Sequence, residues 1–263
     1  MKSKLSILFL SLVLVANHSF AQDENNLKNF RFGLRVTPAI DWLRPDEGKA
    51  IEKNGVALKF SYGLMMEFRL NKVISFVTGV GGDYDGGKLT FKDSAVYYVN
   101  DGNVIKAADT TTTSHKWSSY KLDSREYKVN YVNIPIMLKM KTPQIGAMTY
   151  FGLFGGDLGI RTKAKAIDGN TPLHVPSGAT FDNTDVDITK DMNLLKLNLN
   201  VGAGFEYNLA GSTSLVVSVN YKRGFISALK SESEYIVKGK LNPSAFKQTA
   251  LLDGLALTCG ILF

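Results

Sequence analysis

The chain has 263 residues, 44% of them hydrophobic and 21% charged, with 31 Lys and Arg against 24 Asp and Glu for a formal net charge of +7. This mild basicity is spread along the chain without a basic block, which argues against a nucleic-acid partner. A single cysteine, Cys259, excludes an intramolecular disulfide and any CxxC or zinc-finger arrangement.

Lys2 and Lys4 precede an apolar run from Leu5 to Ala16, and Ser19-x-Ala21 follows as a small-residue cleavage pattern. The run is shorter than the ~20 residues of a spanning helix. Residues 1–21 therefore read as a signal peptide and 22–263 as the exported domain, with cleavage between Ala21 and Gln22. Loss of Lys2 and Lys4 leaves a net charge of +5. No later stretch approaches a transmembrane helix, so only strands could hold the domain in a membrane.

Eight segments then alternate apolar and polar residues, the period of a strand with one greasy and one wet face. Phe30 to Asp41 sets Phe30, Phe32, Leu34, Val36 and Ile40 against Arg31, Gly33, Arg35, Thr37 and Asp41. Val56 to Leu70 sets Phe60, Tyr62, Leu64, Met66 and Phe68 against Lys59, Ser61, Gly63, Glu67 and Arg69. Val73 to about Phe91 follows after Asn71-Lys72, with Ser75, Gly79, Gly81 and Asp83 on the polar face. Tyr127 to Met140 sets Val132, Ile134, Ile136, Leu138 and Met140 against Tyr131, Asn133, Pro135 and Lys139. Pro135 removes a ladder donor, so a bulge or local break is expected there. Ala147 to about Thr162 has Gly155, Asp157, Gly159 and Arg161 on its polar face. Leu195 to Leu209 is the longest unbroken alternation, Lys196, Asn198, Asn200, Gly202, Gly204, Glu206 and Asn208 opposing eight apolar residues. At about 3.3 Å per residue it spans roughly 50 Å, against about 17–20 Å for an ordinary globular strand. Ser214 to Phe225 and Leu251 to Phe263 complete the set, with Lys222 inward on the former and Cys259 facing lipid on the latter.

The connections alternate in size. Asn71-Lys72, Thr142 to Gly146 and Ala210 to Thr213 are short, whereas Trp42 to Gly55, Asp93 to Glu126, Lys163 to Asn193 and Ile226 to Ala250 are long and polar. Short periplasmic turns and long extracellular loops are the signature of an up-and-down membrane barrel. The expected fold is all-β: an eight-stranded antiparallel up-and-down transmembrane β-barrel of the outer membrane. A soluble lipocalin-like barrel would reverse the faces, apolar inside. The glycine-rich polar face suits a narrow interior and would merely weaken an exposed strand.

Phe32-Gly33-Leu34-Arg35, Phe60-Ser61-Tyr62-Gly63-Leu64, Gly86-Gly87-Lys88-Leu89, Tyr131 to Lys139 (YVNIPIMLK), Gly202-Ala203-Gly204-Phe205-Glu206 and terminal Phe263 together resemble the PorT-type outer-membrane β-barrel proteins of Bacteroidetes. The resemblance spans nearly the whole exported domain and implies a non-enzymatic envelope component, some relatives serving protein secretion and gliding. It supplies no catalytic residues. It also implies that Phe263 closes the last strand as the signal read by the barrel-assembly machinery.

The inward charge set is Arg31, Arg35, Lys59, Glu67, Arg69, Asp83, Lys139, Asp157, Arg161, Lys196, Glu206 and Lys222. Eight-stranded barrels are filled by their own side chains, and buried charges must pair, so these residues are expected to plug the lumen with ion pairs. The alternatives are a small pore and a lipid A-modifying enzyme, the latter using His115 or His174 with Ser114, Ser118 and Ser119 in the loops. A base needs a positioned nucleophile, and nothing in the spacing supplies one, so no catalytic residue, cofactor or metal is assigned. Asp182 to Asp187 offers clustered oxygens for a loose calcium site but lacks the glycine and glutamate of an EF-hand. Lys88, Lys92, Lys121, Lys128, Lys163 and Lys165 flank the outer rim, where lipopolysaccharide phosphates would lie. The expected partners are outer-membrane lipid and lipopolysaccharide, the assembly machinery, and an envelope or secretion complex engaged through the external loops.

Overall fold

A computed structural model describes residues 29–46, 50–92, 95–111, 117–176, 181–239 and 244–263. The proposed signal peptide lies outside them. Eight long strands form the wall: β1 (Phe30–Pro45), β2 (Ala57–Arg69), β3 (Ile74–Phe91), β4 (Trp117–Lys141), β5 (Met148–His174), β6 (Leu195–Ala210), β7 (Thr213–Gly224) and β8 (Ala250–Leu262). Each pairs antiparallel with its neighbour in sequence, and β1 pairs with both β2 and β8, so the ring closes. Closure leaves no unpaired edge in the lipid, where an unsatisfied backbone group costs several kcal/mol.

The turns at one end are tight for identifiable reasons. The Asn71 side-chain oxygen accepts from the amides of Val73 (2.8 Å) and Ile74 (2.7 Å). Gly146 and Gly211 take φ of 63° and 57° in the other two turns, a region where glycine pays no steric penalty. Around the ring Phe32, Leu34, Val36, Leu64, Val80, Ile136, Phe154, Val201, Val219 and Leu257 are exposed. Rings bound this belt: Phe30 lies 5.0 Å from Phe68, and Phe68 6.4 Å from Phe76, at the short-turn end. Tyr84 and Trp42, whose rings lie 6.3 Å from Tyr62 and 6.5 Å from Tyr221, mark the other. From Phe30 to Trp42, at ~3.3 Å per residue and a tilt near 40°, the belt rises about 30 Å, the scale of an outer-membrane apolar band between aromatic girdles.

Pro135 does not create a bulge. The β3–β4 register is unshifted past it, although pairing lapses between Thr78–Ile136 and Gly81–Asn133, so the local break is present. The bulges lie higher, between β4 and β5 at Ser119/Tyr120, Leu122/Ser124 and Asn130/Tyr131.

The long connections differ from expectation. β4 begins at Trp117 instead of Tyr127 and β5 runs to His174 instead of Thr162. Beyond the bilayer the strands continue with inverted polarity: Tyr120, Leu122, Tyr127, Val129, Ala164 and Ala166 are buried inward, while Lys128 and Lys163 face water. Short strands complete a cap on this overhang. Ile51–Lys53 pairs with the top of β3, and Ala95–Asn100 with the top of β4 and with Asn103–Ile105. Glu232–Lys238 joins Ala95–Asn100 to Ser244–Lys247, and Val186–Asp187 pairs with β5. With these six the sheet has 14 strands among the described residues, eight of them in the ring. Leu43, Leu89, Phe91, Tyr97, Leu122, Leu229, Ile236 and Phe246 form one continuous apolar core over the mouth at the long-connection end. The connections read from the sequence as long and polar are therefore folded, in their described residues, onto a hydrophobic interior. Truncating Leu229, which is 0% exposed, to Ala is expected to destabilise the cap by about 2–5 kcal/mol. External protease should then cut 230–249 while the barrel keeps its SDS resistance.

Candidate functional site

The lumen is layered. At the short-turn end β1, β2, β4 and β6 bring Arg31, Glu67, Lys139, Lys141 and Glu206 together. Arg31 Nη2 donates to Glu67 Oε2 at 2.8 Å and to Glu206 Oε2 at 2.9 Å. Lys139 Nζ reaches Glu67 at 3.1 Å and also pairs with Glu206. Lys141 pairs with Glu67 and lies 3.4 Å from Glu206. Among these described residues three cations share two carboxylates. Buried charges survive only with such multiple partners.

Above this network Met65, Val77, Met137, Phe151, Val216 and Leu262 form an apolar plug inside the barrel. The Phe151 ring carries Lys139 Nζ 4.2 Å from its centroid, joining the two layers. A polar chamber follows, and then a second charged layer. Here Lys196 Nζ donates to Asp83 at 2.9 Å and Asp85 at 2.5 Å and sits 3.9 Å from Asp157. Lys222 lies 3.8 Å from Asp85. Asn198 Nδ2 donates to Asp157 Oδ2 at 3.2 Å, and Asn200 donates to its other oxygen. The Tyr131 ring faces Lys196 Nζ at 4.7 Å.

In the cap, Arg125 Nε and Nη2 clamp both oxygens of Asp168 at 2.6 and 2.7 Å, a bidentate pair that is fully buried. Burial works against the charged guanidinium, but attraction to Asp168 exceeds it, and the Arg125 pKa is raised further above its ordinary value.

Seven of the twelve residues read from the sequence join the two networks: Arg31, Glu67, Lys139 and Glu206 in one, Asp83, Asp157 and Lys196 in the other. Lys222 is at the edge of the second. Arg35, Lys59, Arg69 and Arg161 are inward but ion-pair with no described residue. Lys59 Nζ donates to the Tyr127 carbonyl (3.4 Å) and Arg161 Nε to the Asn193 carbonyl (3.2 Å). Lys141 and Asp85 belong to the networks and were missed, although both share the inward parity of Lys139 and Asp83. The two apolar layers correct the expectation of a lumen filled by charge and glycine alone.

The other candidates disperse. Ser114 and His115 lie outside the described residues. Ser119 and His174 are register partners, but the His174 ring packs on Trp117, 5.5 Å between centroids. In the acidic loop Asp182 caps Thr184, Asp185 pairs with Lys165, and Asp187 accepts from the Thr189 amide. Four of the six rim lysines are paired within the chain: Lys88 with Glu126, Lys92 with Glu52, Lys121 with Asp123 and Lys165 with Asp185. The Phe263 amide donates to the Phe32 carbonyl (2.8 Å), and the two rings lie 5.8 Å apart.

A closed antiparallel ring, apolar outside, girdled by aromatics and charged within, defines an integral membrane β-barrel. The chain belongs to the outer membrane protein beta-barrel domain family, whose sequence model matches residues 20–230. No curated protein matches it in sequence. Similar solved structures include Neisserial surface protein A (10% identity, 89% of this chain and 96% of that one, TM-score 0.41). Ail, the attachment invasion locus protein of Yersinia pestis, is another (13% identity, 90% and 100%, TM-score 0.37). The outer membrane protein OprG of Pseudomonas aeruginosa is a third (12% identity, 88% and 94%, TM-score 0.37).

Proposed function

We propose that this outer-membrane barrel is a non-conducting, non-enzymatic component of the cell envelope that recognises a partner through its outer cap. The observation that carries this reading is the continuous apolar core over the outer mouth, stacked on two charged layers and an inner plug. An ion would have to cross all of them, and the multiply paired charges of the two layers offer it no exchangeable ligand. Purified protein in planar bilayers is expected to give no steady openings; discrete, reproducible conductance steps would refute the reading in favour of a small pore.

An accessory role in protein secretion, as in PorT-type relatives, is supported by the Tyr131 to Lys139 segment that forms the bilayer part of β4. Crosslinking in native membranes followed by copurification tests it, and recovery of no envelope protein would count against it. Lipopolysaccharide contact falls to Lys128 and Lys163, which are exposed beside each other on β4 and β5 without an acidic partner among the described residues. Recognition of Phe263 by the assembly machinery completes the set of partners.

A further inference from the structure

Between the inner plug and the second charged layer the lumen opens into a cavity of about 80 Å³, at the level of Val36 and Val201, the middle of the lipid belt. Arg35 lines it. Its Nε and Nη2 atoms are shielded from solvent and bond to no described residue. The acids on either side are drawn elsewhere, Glu67 and Glu206 to Arg31, Lys139 and Lys141, Asp83 and Asp157 to Lys196. Arg35 is thus a cation without a counter-ion in a low-dielectric interior, and such a charge needs compensation. The Nε–Nη2 edge is the side on which a guanidinium grips an anion by two parallel hydrogen bonds. Gly81 keeps the approach open, since a Cβ there would stand 3.3 Å from Arg35 Nη2.

The facing wall has the opposite deficiency. The Oδ1 atoms of Asp83, Asn133, Asn200 and Asn220 lack a donor, and all four residues are more than nine-tenths buried. An anion has no hydrogens to give them, but water does. At about 30 Å³ per water the 80 Å³ cavity holds roughly three. A water in an anion's shell gives one hydrogen to the anion and the other to a carbonyl oxygen, so one guest with its shell satisfies both walls.

We propose that the mid-barrel chamber binds a small hydrated monovalent anion, of halide or formate size, seated on Arg35 and hydrogen-bonded through its waters to the ring of Asn and Asp oxygens. The site goes beyond the function proposed above, because a silent and a conducting barrel would carry it alike.

Crystals of protein refolded in sodium bromide are expected to show an anomalous peak at hydrogen-bond distance from Arg35 Nε and Nη2. In detergent, the unfolding midpoint should rise as bromide or formate replaces the bulky anion gluconate. It should rise further with formate, whose two oxygens fit the fork, than with bromide; it should not respond in Arg35→Met, and in Arg35→Lys, which keeps the charge but not the fork, formate and bromide should act alike. Waters alone linking Arg35 to Asp83 Oδ1, with no bromide peak, would overturn the proposal. So would an equal bromide response in wild type and Arg35→Met. The diffraction result decides by itself should neither variant refold.

Discussion

Lys196→Met is expected to destabilise the barrel by about 3–5 kcal/mol, the cost of breaking a buried ion pair by removing one partner. The lysine holds Asp83 at 2.9 Å and Asp85 at 2.5 Å with Asp157 at 3.9 Å, and its side chain is only 3% exposed. Without it Asp83, Asp85 and Asp157 keep, among the described residues, one ion-pair partner, Lys222 at 3.8 Å from Asp85. A methionine of similar length fills the space, so the loss measures charge and not a cavity. Urea unfolding in lipid vesicles gives the magnitude. Adding Asp85→Asn to Lys196→Met should restore part of the loss, because it removes one of the stranded charges. If Lys196→Met unfolds at the wild-type urea concentration, the second charged layer is not holding the wall together.

Val201→Arg should cost about 2–4 kcal/mol, and Tyr207→Arg only about 0–1. Both are exposed positions on β6 facing away from the lumen. Val201 pairs with Phe154 and Tyr221 in mid-belt, whereas Tyr207 pairs with Met148 and Leu215 near the short turns. A guanidinium at mid-depth must reach water past acyl chains, while one at the rim already touches headgroups. Equal costs at the two depths, or negligible cost at Val201, would contradict the assignment of this face to lipid. The pair separates a membrane barrel from a soluble one by a gradient, which a general loss of β-propensity does not produce.

Within the bilayer the fold was legible because only one alternation operates there, apolar outward and polar inward. Leu195 to Leu209 shows it without interruption, and β6 occupies Leu195–Ala210. The start of β1 and the stops of β2 and β7 are similarly close, since the chemical alternation ends at each of them. Legibility failed above the lipid. There Tyr120, Leu122, Tyr127 and Val129 turn inward on β4, and Ala164 and Ala166 do so on β5. The rule reverses because water now lies outside the wall. Bulges at Leu122/Ser124 and Asn130/Tyr131 also shift the parity in the same stretch. A period-2 reading sees a reversal and a slip together as the end of a strand. The lumen was read in part for a related reason. Inward parity marks Glu67, Asp83, Lys139, Lys196 and Glu206, but parity says nothing about depth. Depth separates the lower network from the upper one, and it places Met65, Val77 and Met137 as a plug between Glu67 and Arg35. Arg35 and Arg31 look alike in the sequence; one has two carboxylates and the other a cavity.

The way the cap is strung also fixes when it can form. Its sheet joins Ala95–Asn100, from the connection after β3, to Glu232–Lys238, from the connection after β7. These segments emerge at different points of the ring and are far apart in sequence, so nothing brings them together until both hairpins have been threaded through the bilayer. Closure of such long-range contacts is slow. The cap is therefore the last part of the molecule to mature, and its burial of Leu229 and Phe246 on the far side makes insertion hard to reverse.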